Sequence, residues 1–196
     1  MTFFFDPACP WTWRASRWLT LVAETRGLDI EWRSLSLLVV NGGDIPDPVK
    51  RARLETSHGA LVLMERLRQN GREDMIPAFY AEIGNVVHEA GQPFDGPVLE
   101  HAARESGVAD HGAALDQALF DDPELRSAVE TSTATAMAAA GPGVGSPVLV
   151  LPGAERGLQG PVLGSVPDKS ESLALWEAVE ALAPIKDFFE IKRGRP

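Results

Sequence analysis

The sequence predicts a mixed α/β fold in which a small sheet domain is split by an all-helical insertion. Three observations predict it. At the N-terminus a short apolar strand runs into an amphipathic helix and then a second strand. Residues 47–140 carry helix starts and stops almost without a break. After a Gly- and Pro-rich break at 141–147, two short strand-like runs and a closing helix follow. The element order is therefore β-α-β, helical block, β-β-α. The sheet domain is expected from residues 1–45 and 141–196, and the insertion from 46–140.

Residues 2–5 (Thr-Phe-Phe-Phe) read as a buried strand. From Trp11 a helix is predicted with Trp11, Ala15, Trp18 and Val22 on one stripe and Gly27 just past its end. Residues 28–39 read as a second strand, because Leu28, Ile30 and Trp32 alternate with Asp29, Glu31 and Arg33. Asp47-Pro48 pairs an N-cap with proline at the first helical position, and Gly71 closes that helix. Met75, Ile76, Phe79, Tyr80, Ile83, Val87 and Ala90 follow at helical spacing up to Gly91. Asp95 and Pro97 open a further helix that Gly107 ends, and Asp122-Pro123 opens another carrying Leu125, Val129, Ala136 and Ala140. Residues 148–151 are a strand-like run, with residues 161–164 as the expected hairpin partner. Asp168 with Glu171 resembles a capping box for a last helix bearing Leu173, Trp176, Val179 and Leu182.

Composition narrows the function. The 196 residues are 44% hydrophobic and 23% charged, ordinary values for a globular chain long enough to bury a core. A net charge of −10 argues against nucleic acid as a partner. No apolar run approaches the roughly 18 residues of a membrane span. Strand-like sequence starts at residue 2 with no signal-peptide pattern before it, and a single cysteine excludes a disulfide framework. Both point to a cytoplasmic protein. His58, His88, His101 and His111 show no metal-ligand spacing with one another or with Cys9, so no metal is expected.

That cysteine, Cys9, stands where the first strand meets the first helix, in Cys-Pro-Trp-Thr. A thiol reacts as its thiolate, and the unpaired N–H groups and positive dipole end of a helix N-terminus favour the anion. Pro10 suits the first turn because its missing N–H would be unpaired there anyway. The Thr12 hydroxyl, three residues on, has the right offset to donate to the sulfur. The placement predicts a thiol pKa below the ordinary value. With threonine in the fourth position the site cannot close an internal disulfide. Ser146-Pro147 sits between the glycine-rich loop and the third strand. It reads either as an edge proline or as a cis-proline that brings its preceding backbone beside the sulfur.

Asp6-Pro7-Ala8-Cys9-Pro10-Trp11, followed much later by Gly145-Ser146-Pro147-Val148, resembles the DsbA-like thioredoxin superfamily. Within it the chain is most similar to the actinobacterial mycothiol-dependent nitroreductase or disulfide reductase family. That family carries Phe-Asp-Pro-x-Cys-Pro-Trp-Cys, an asparagine after the second strand (Asn41), a helical Tyr-x-x-x-Gly-x-x-x-His (Tyr80, Gly84, His88) and a Gly-Pro-Val (Gly160-Pro161-Val162). The resemblance implies a thioredoxin-like fold and thiol-disulfide oxidoreduction, with Cys9 as nucleophile, Thr12 as its hydrogen-bond partner and Pro147 as the cis-proline platform. Pro10, Trp11, Asn41, Ser146 and His88 are the implied binding residues. For Trp11 core packing is the competing reading, for Asn41 a turn role before Gly42-Gly43, and for His88 a structural role. The family's resolving cysteine is Thr12 here, which leaves a monothiol cycle: a mixed disulfide at Cys9, released by a small thiol such as mycothiol. No tightly bound cofactor is implied; the partners are the small thiol and a disulfide or small electrophile, in an oligomeric state the sequence leaves open. Two other classes compete. One is an enzyme that activates a bound thiol, as kappa-class glutathione transferases and hydroxychromene-carboxylate isomerases do. The other is a non-catalytic binding protein of the same fold.

Overall fold

The computed structural model describes residues 1–42, 45–111 and 115–194; Gly43, which the sequence placed in the turn after Asn41, lies outside them. Among the described residues one four-stranded sheet has the order β2-β1-β3-β4. β1 (Thr2–Phe5) lies parallel to β2 (Glu31–Ser34), joined by helix α1 (Pro10–Arg26). β3 (Val148–Val150) returns antiparallel against β1, and β4 (Leu158–Gln159) pairs antiparallel with β3. Because side chains alternate along a strand, Phe3 and Phe5 point into the larger core and Phe4 into a smaller one. The Phe4 side meets Ala136 and Ala140 of α7 (Pro123–Ala140). The Phe3/Phe5 core includes Trp18 of α1 and Trp176 of α8 (Lys169–Leu182), whose rings lie 6.1 Å apart.

The chain between β2 and β3 is helical. A short α2 (Leu37–Val40) comes first, then α3 (Pro48–Gln69) and α4 (Ile76–Gly84), which a π-helical turn over Asn85–Glu89 extends. α5 (Gly96–Glu105), α6 (Gln117–Phe120) and α7 complete the run. The local signals act as expected. Asp47, Asp95 and Asp122 cap their helices through side-chain oxygens, and Asp168 with Glu171 forms the full capping box. No helix among the described residues is long and apolar enough to cross a membrane.

Four elements depart from expectation. The second strand stops at Ser34 rather than continuing to residue 39. The Ser36 N–H turns to the Thr133 hydroxyl, the Leu37 N–H to the Asp6 carboxylate, and Ser36 caps α2 instead. The partner of β3 is Leu158–Gln159, not residues 161–164. Pro161 has no N–H for the ladder, and the Gly160 N–H to Pro147 carbonyl bond is the last before the chain turns away at a cis Gly160-Pro161 peptide. The helix expected from 75 to 90 is instead a 3₁₀ turn (Glu73–Met75), α4 and the π turn. Trp11 is half-buried rather than on the core stripe of α1. The buried face is made by Thr12, Trp13, Ala15, Ser16, Trp18, Leu19, Val22 and Ala23.

Trp13 explains the Tyr80, Gly84 and His88 spacing. Its indole meets Tyr80 edge-on at 5.6 Å, stacks on His88 at 6.0 Å and hydrogen-bonds the Glu89 carboxylate. The ring lies where a side chain at Gly84 would stand: a Cβ there would be 2.0 Å from Cζ3 of Trp13. We expect Gly84→Ala to cost about 2 kcal/mol or more, as an overpacked core does. The measurement is urea unfolding; an unchanged midpoint would show that the indole can move aside.

Candidate active site

Cys9 is the N-cap of α1, with Pro10 at the first helical position and exposed. The loop before it, residues 6–8, is held from several sides. The wholly buried Asp6 carboxylate accepts from the Ala8 N–H (2.8 Å), the Leu37 N–H (2.7 Å) and the Ser57 hydroxyl of α3. Arg53 of α3 donates to the Ala8 carbonyl at 2.8 Å, and Nε2–H of His88 donates to the Pro7 carbonyl at 2.8 Å. A carbonyl only accepts, so this contact assigns the ring proton to Nε2. Burial comes first among the causes that hold the His88 pKa below the usual histidine value; Arg53 and Arg14 add to it, while the Pro7 contact and Glu89 oppose it.

Ser146 completes the site from the far end of the sequence. Its peptide bond to Pro147 is cis, and its carbonyl oxygen lies 3.6 Å from Sγ of Cys9, which donates to it as a thiol. Its hydroxyl accepts from the Asp6 N–H at 3.0 Å and sits 2.7 Å from the Thr12 hydroxyl. If Ser146 gives its proton to Thr12, the Thr12 proton is free for the sulfur. Cys9, Thr12, Ser146 and Pro147 are thus brought together, with half-buried Trp11 beside them under the Arg14 guanidinium, 5.1 Å from the ring centre. His88 lies behind the loop, gripping its backbone. Asn41 is exposed at the C-terminus of α2, where its amide donates to the Leu37 carbonyl at 2.6 Å; the turn role accounts for these contacts.

The expected low thiol pKa is corrected. Cys9 is only 7% exposed, and burial pushes its thiol up. The Thr12 hydroxyl and the N–H groups of Thr12 and Trp11 pull the other way, and the Asp6 charge adds to the rise. The Ser146 carbonyl also favours the protonated form by accepting the S–H. Burial raises the Asp6 pKa too, against its three hydrogen-bond donors and Arg53. Sequence reasoning missed Asp6, Arg53, Ser57 and Trp13 as parts of the site. Asp6 was visible in the Phe-Asp-Pro motif; the others announce themselves only through contacts. No group of three or more His, Cys, Asp or Glu side chains among the described residues could hold a metal.

A strand-to-helix cysteine facing the residue before a cis-proline, on a β-α-β and β-β-α sheet, defines a DsbA-like protein of the thioredoxin superfamily. Two solved structures share this fold: the cytosolic disulfide reductase DsbM of Pseudomonas aeruginosa (TM-score 0.55, 20% identity, 93% of this chain and 100% of that one) and a provisionally assigned protein disulfide isomerase of Nitrosomonas europaea (TM-score 0.53, 12% identity, 90% and 97%). The family described as mycothiol-dependent nitroreductase Rv2466c matches residues 8–193, and the chain belongs to this family of oxidoreductases. It is also 33% identical, over 98% of its length and 81% of the relative's, to the uncharacterised Rv2286c of Mycobacterium tuberculosis.

The electrostatic balance gives a signed expectation. Alkylation of Cys9 should rise with pH through an inflection above the ordinary cysteine value of about 8.5. In Asp6→Asn, which removes the charge opposing the thiolate, the inflection should move down. Rates with iodoacetamide across pH 6–11, read by intact mass, test this; an inflection that stays put or rises in the variant would remove Asp6 from the balance.

Proposed function

We propose that the protein is a thiol-disulfide oxidoreductase working by a monothiol cycle at Cys9. The observation that carries this reading is the sulfur's place at the N-cap of α1, 3.6 Å from the Ser146 carbonyl beside cis-Pro147, in a chain with no second cysteine. In the first step the Cys9 thiolate attacks a mixed disulfide between a substrate and a small thiol. A Cys9–small-thiol disulfide forms and the substrate sulfur leaves as thiolate, taking a proton from solvent. A second small thiol, as its thiolate, then attacks the sulfur of the small thiol held on Cys9. Cys9 is released reduced, and the symmetrical small-thiol disulfide departs. Across the cycle the substrate sulfur is reduced to a thiol, the incoming small thiol is oxidised into the symmetrical disulfide, and the small thiol already present in the mixed disulfide keeps its oxidation state. The family description supports mycothiol as that thiol. Thr12 would hydrogen-bond the sulfur in its anionic stage, and Pro147 with Ser146 would set the backbone against which a disulfide lies. Pro10 and Trp11 would form the rim, and His88 would position the loop. A pool of reduced small thiol places this cycle in the cytoplasm. The helices of residues 46–140 would then act as the inserted domain, supplying Arg53, Ser57 and His88 to the loop.

The buried, protonated thiol favours one second reading. In it Cys9 donates its S–H to a bound thiol that does the chemistry, as in the kappa-class transferases and hydroxychromene-carboxylate isomerases, whose activity would survive Cys9→Ser. The test is to present the protein with the symmetrical disulfides of mycothiol and of glutathione. We expect Cys9 to gain the mass of one small thiol, and exchange turnover to fall by at least about a hundredfold in Cys9→Ser. Retained turnover in the serine variant would move the chemistry to the bound thiol, and absence of turnover in the wild type would leave a binding protein.

A further inference from the structure

Two arginines lie near the Cys9 loop, one on α3 and one on α1. Arg53, on α3, places Nη2 on the Ala8 carbonyl at 2.8 Å, one residue before the sulfur. Arg14, on α1, lies over the Trp11 ring and reaches the Leu163 carbonyl at 3.4 Å. Both are half-buried. Both also act on the same imidazole, that of His88, whose Nε2 is bonded to the Pro7 carbonyl, so the two cations converge on the one loop.

Like Arg126 and Arg156, they bond a backbone carbonyl rather than a carboxylate, but they do so near the Cys9 loop. Arg26, Arg33, Arg66, Arg68 and Arg72 each pair with a carboxylate. Among the described residues neither Arg14 nor Arg53 has one, although acids outnumber bases by 28 to 18. The acids near the loop are already engaged: Asp6 is buried under its three donors, and Glu89 accepts from the Trp13 indole. Each guanidinium has five N–H donors in a planar fork and spends one on a backbone carbonyl, which fixes its position and leaves the rest directed elsewhere. Arg53 faces only the charge of buried Asp6, whose oxygens are already taken, and neither arginine has a carboxylate in contact; half-buried cations so placed near the chain's only thiol can receive an anion.

We infer that Arg14 and Arg53 form a carboxylate-recognising rim around Cys9, so that the molecule attacked by the sulfur carries a carboxylate close to its reacting atom. The rim rests on the proposed chemistry of Cys9 for its biological meaning, but its charge preference does not depend on that chemistry. Iodoacetate and iodoacetamide both alkylate a thiolate, forming a thioether and releasing iodide, and they differ in the carboxylate. In free solution a thiolate provides the reference ratio of the two rates. At Cys9 we expect the iodoacetate-to-iodoacetamide ratio to exceed that reference by about tenfold at low salt, an effect of the size expected for two partly screened cations. The excess should shrink in 0.5 M salt and fall at least about threefold in each of Arg14→Gln and Arg53→Gln. Dividing by the iodoacetamide rate removes any change in loop geometry or thiol pKa, which acts on both reagents.

A second arm uses 3,3′-dithiodipropionate, bis(2-hydroxyethyl) disulfide and cystamine, which carry two negative charges, none and two positive charges. The rates of mixed-disulfide formation at Cys9 should fall in that order, each divided by the rate of the same disulfide with a free thiol. A ratio equal to the free-thiol reference, or an excess that persists in the Arg14→Gln/Arg53→Gln double variant, overturns the rim. If the alkylation preference is present but none of the three disulfides reacts, the rim stands and the oxidoreductase reading falls. If the neutral disulfide reacts and no charge preference exists, the reverse holds.

Discussion

Asp6 lies wholly buried at the end of β1, and its two carboxylate oxygens take hydrogen bonds from three separate stretches of chain: Ala8 in its own loop, Leu37 at the start of α2, and Ser57 on α3. Removing a carboxylate from water is costly unless its lone pairs are filled, and a buried anion left with a missing donor is costlier still. The three donors therefore belong together. The loop must fold back to offer Ala8, the chain must leave the sheet after Ser34 to offer Leu37, and α3 must pack close enough to offer Ser57. The backbone of Asp6 adds a fourth tie by donating to the Ser146 hydroxyl. One side chain thus joins β1, α2 and α3, and its main chain brings in the approach to β3.

The sulfur sits in a field of opposing influences. Helix-start N–H groups and the Thr12 hydroxyl favour charge on it; desolvation, the Ser146 carbonyl and the nearby Asp6 carboxylate disfavour it. Desolvation dominates, so the free protein holds a thiol. A ligand that adds a donor or a cation near Sγ, or displaces the Ser146 contact, tips the balance toward thiolate. In such a site reactivity follows occupancy more than pH alone.

Features set by neighbours in sequence were legible from the residues. Asp47-Pro48, Asp122-Pro123 and the Asp168/Glu171 box start their helices as local chemistry dictates. The meeting of Cys9 with Ser146-Pro147 was legible from motif and element order. The hairpin partner of β3 was misplaced for a local reason, the missing N–H of Pro161; in the other failures a distant residue had intervened. α2 replaces strand because Asp6 and Thr133 capture the N–H groups a strand would have used. The π turn after Gly84 belongs to a helix packed around Trp13, an indole supplied by α1. The thiol pKa was misread because the helix terminus is a local feature and burial is a tertiary one. Asn41, in an apt position after the second strand, spends its amide on its own helix.

The solitary sulfur has a thermodynamic consequence. A dithiol protein has a midpoint potential of its own, because both its oxidised and reduced forms are single molecules. With one cysteine and no partner sulfur within the chain, any disulfide at Cys9 includes a second molecule. Its formation then depends on concentration as well as on bond energies. The oxidised fraction of this protein is therefore not an intrinsic constant. It follows the composition of the surrounding thiol pool by mass action, and dilution alone can change it.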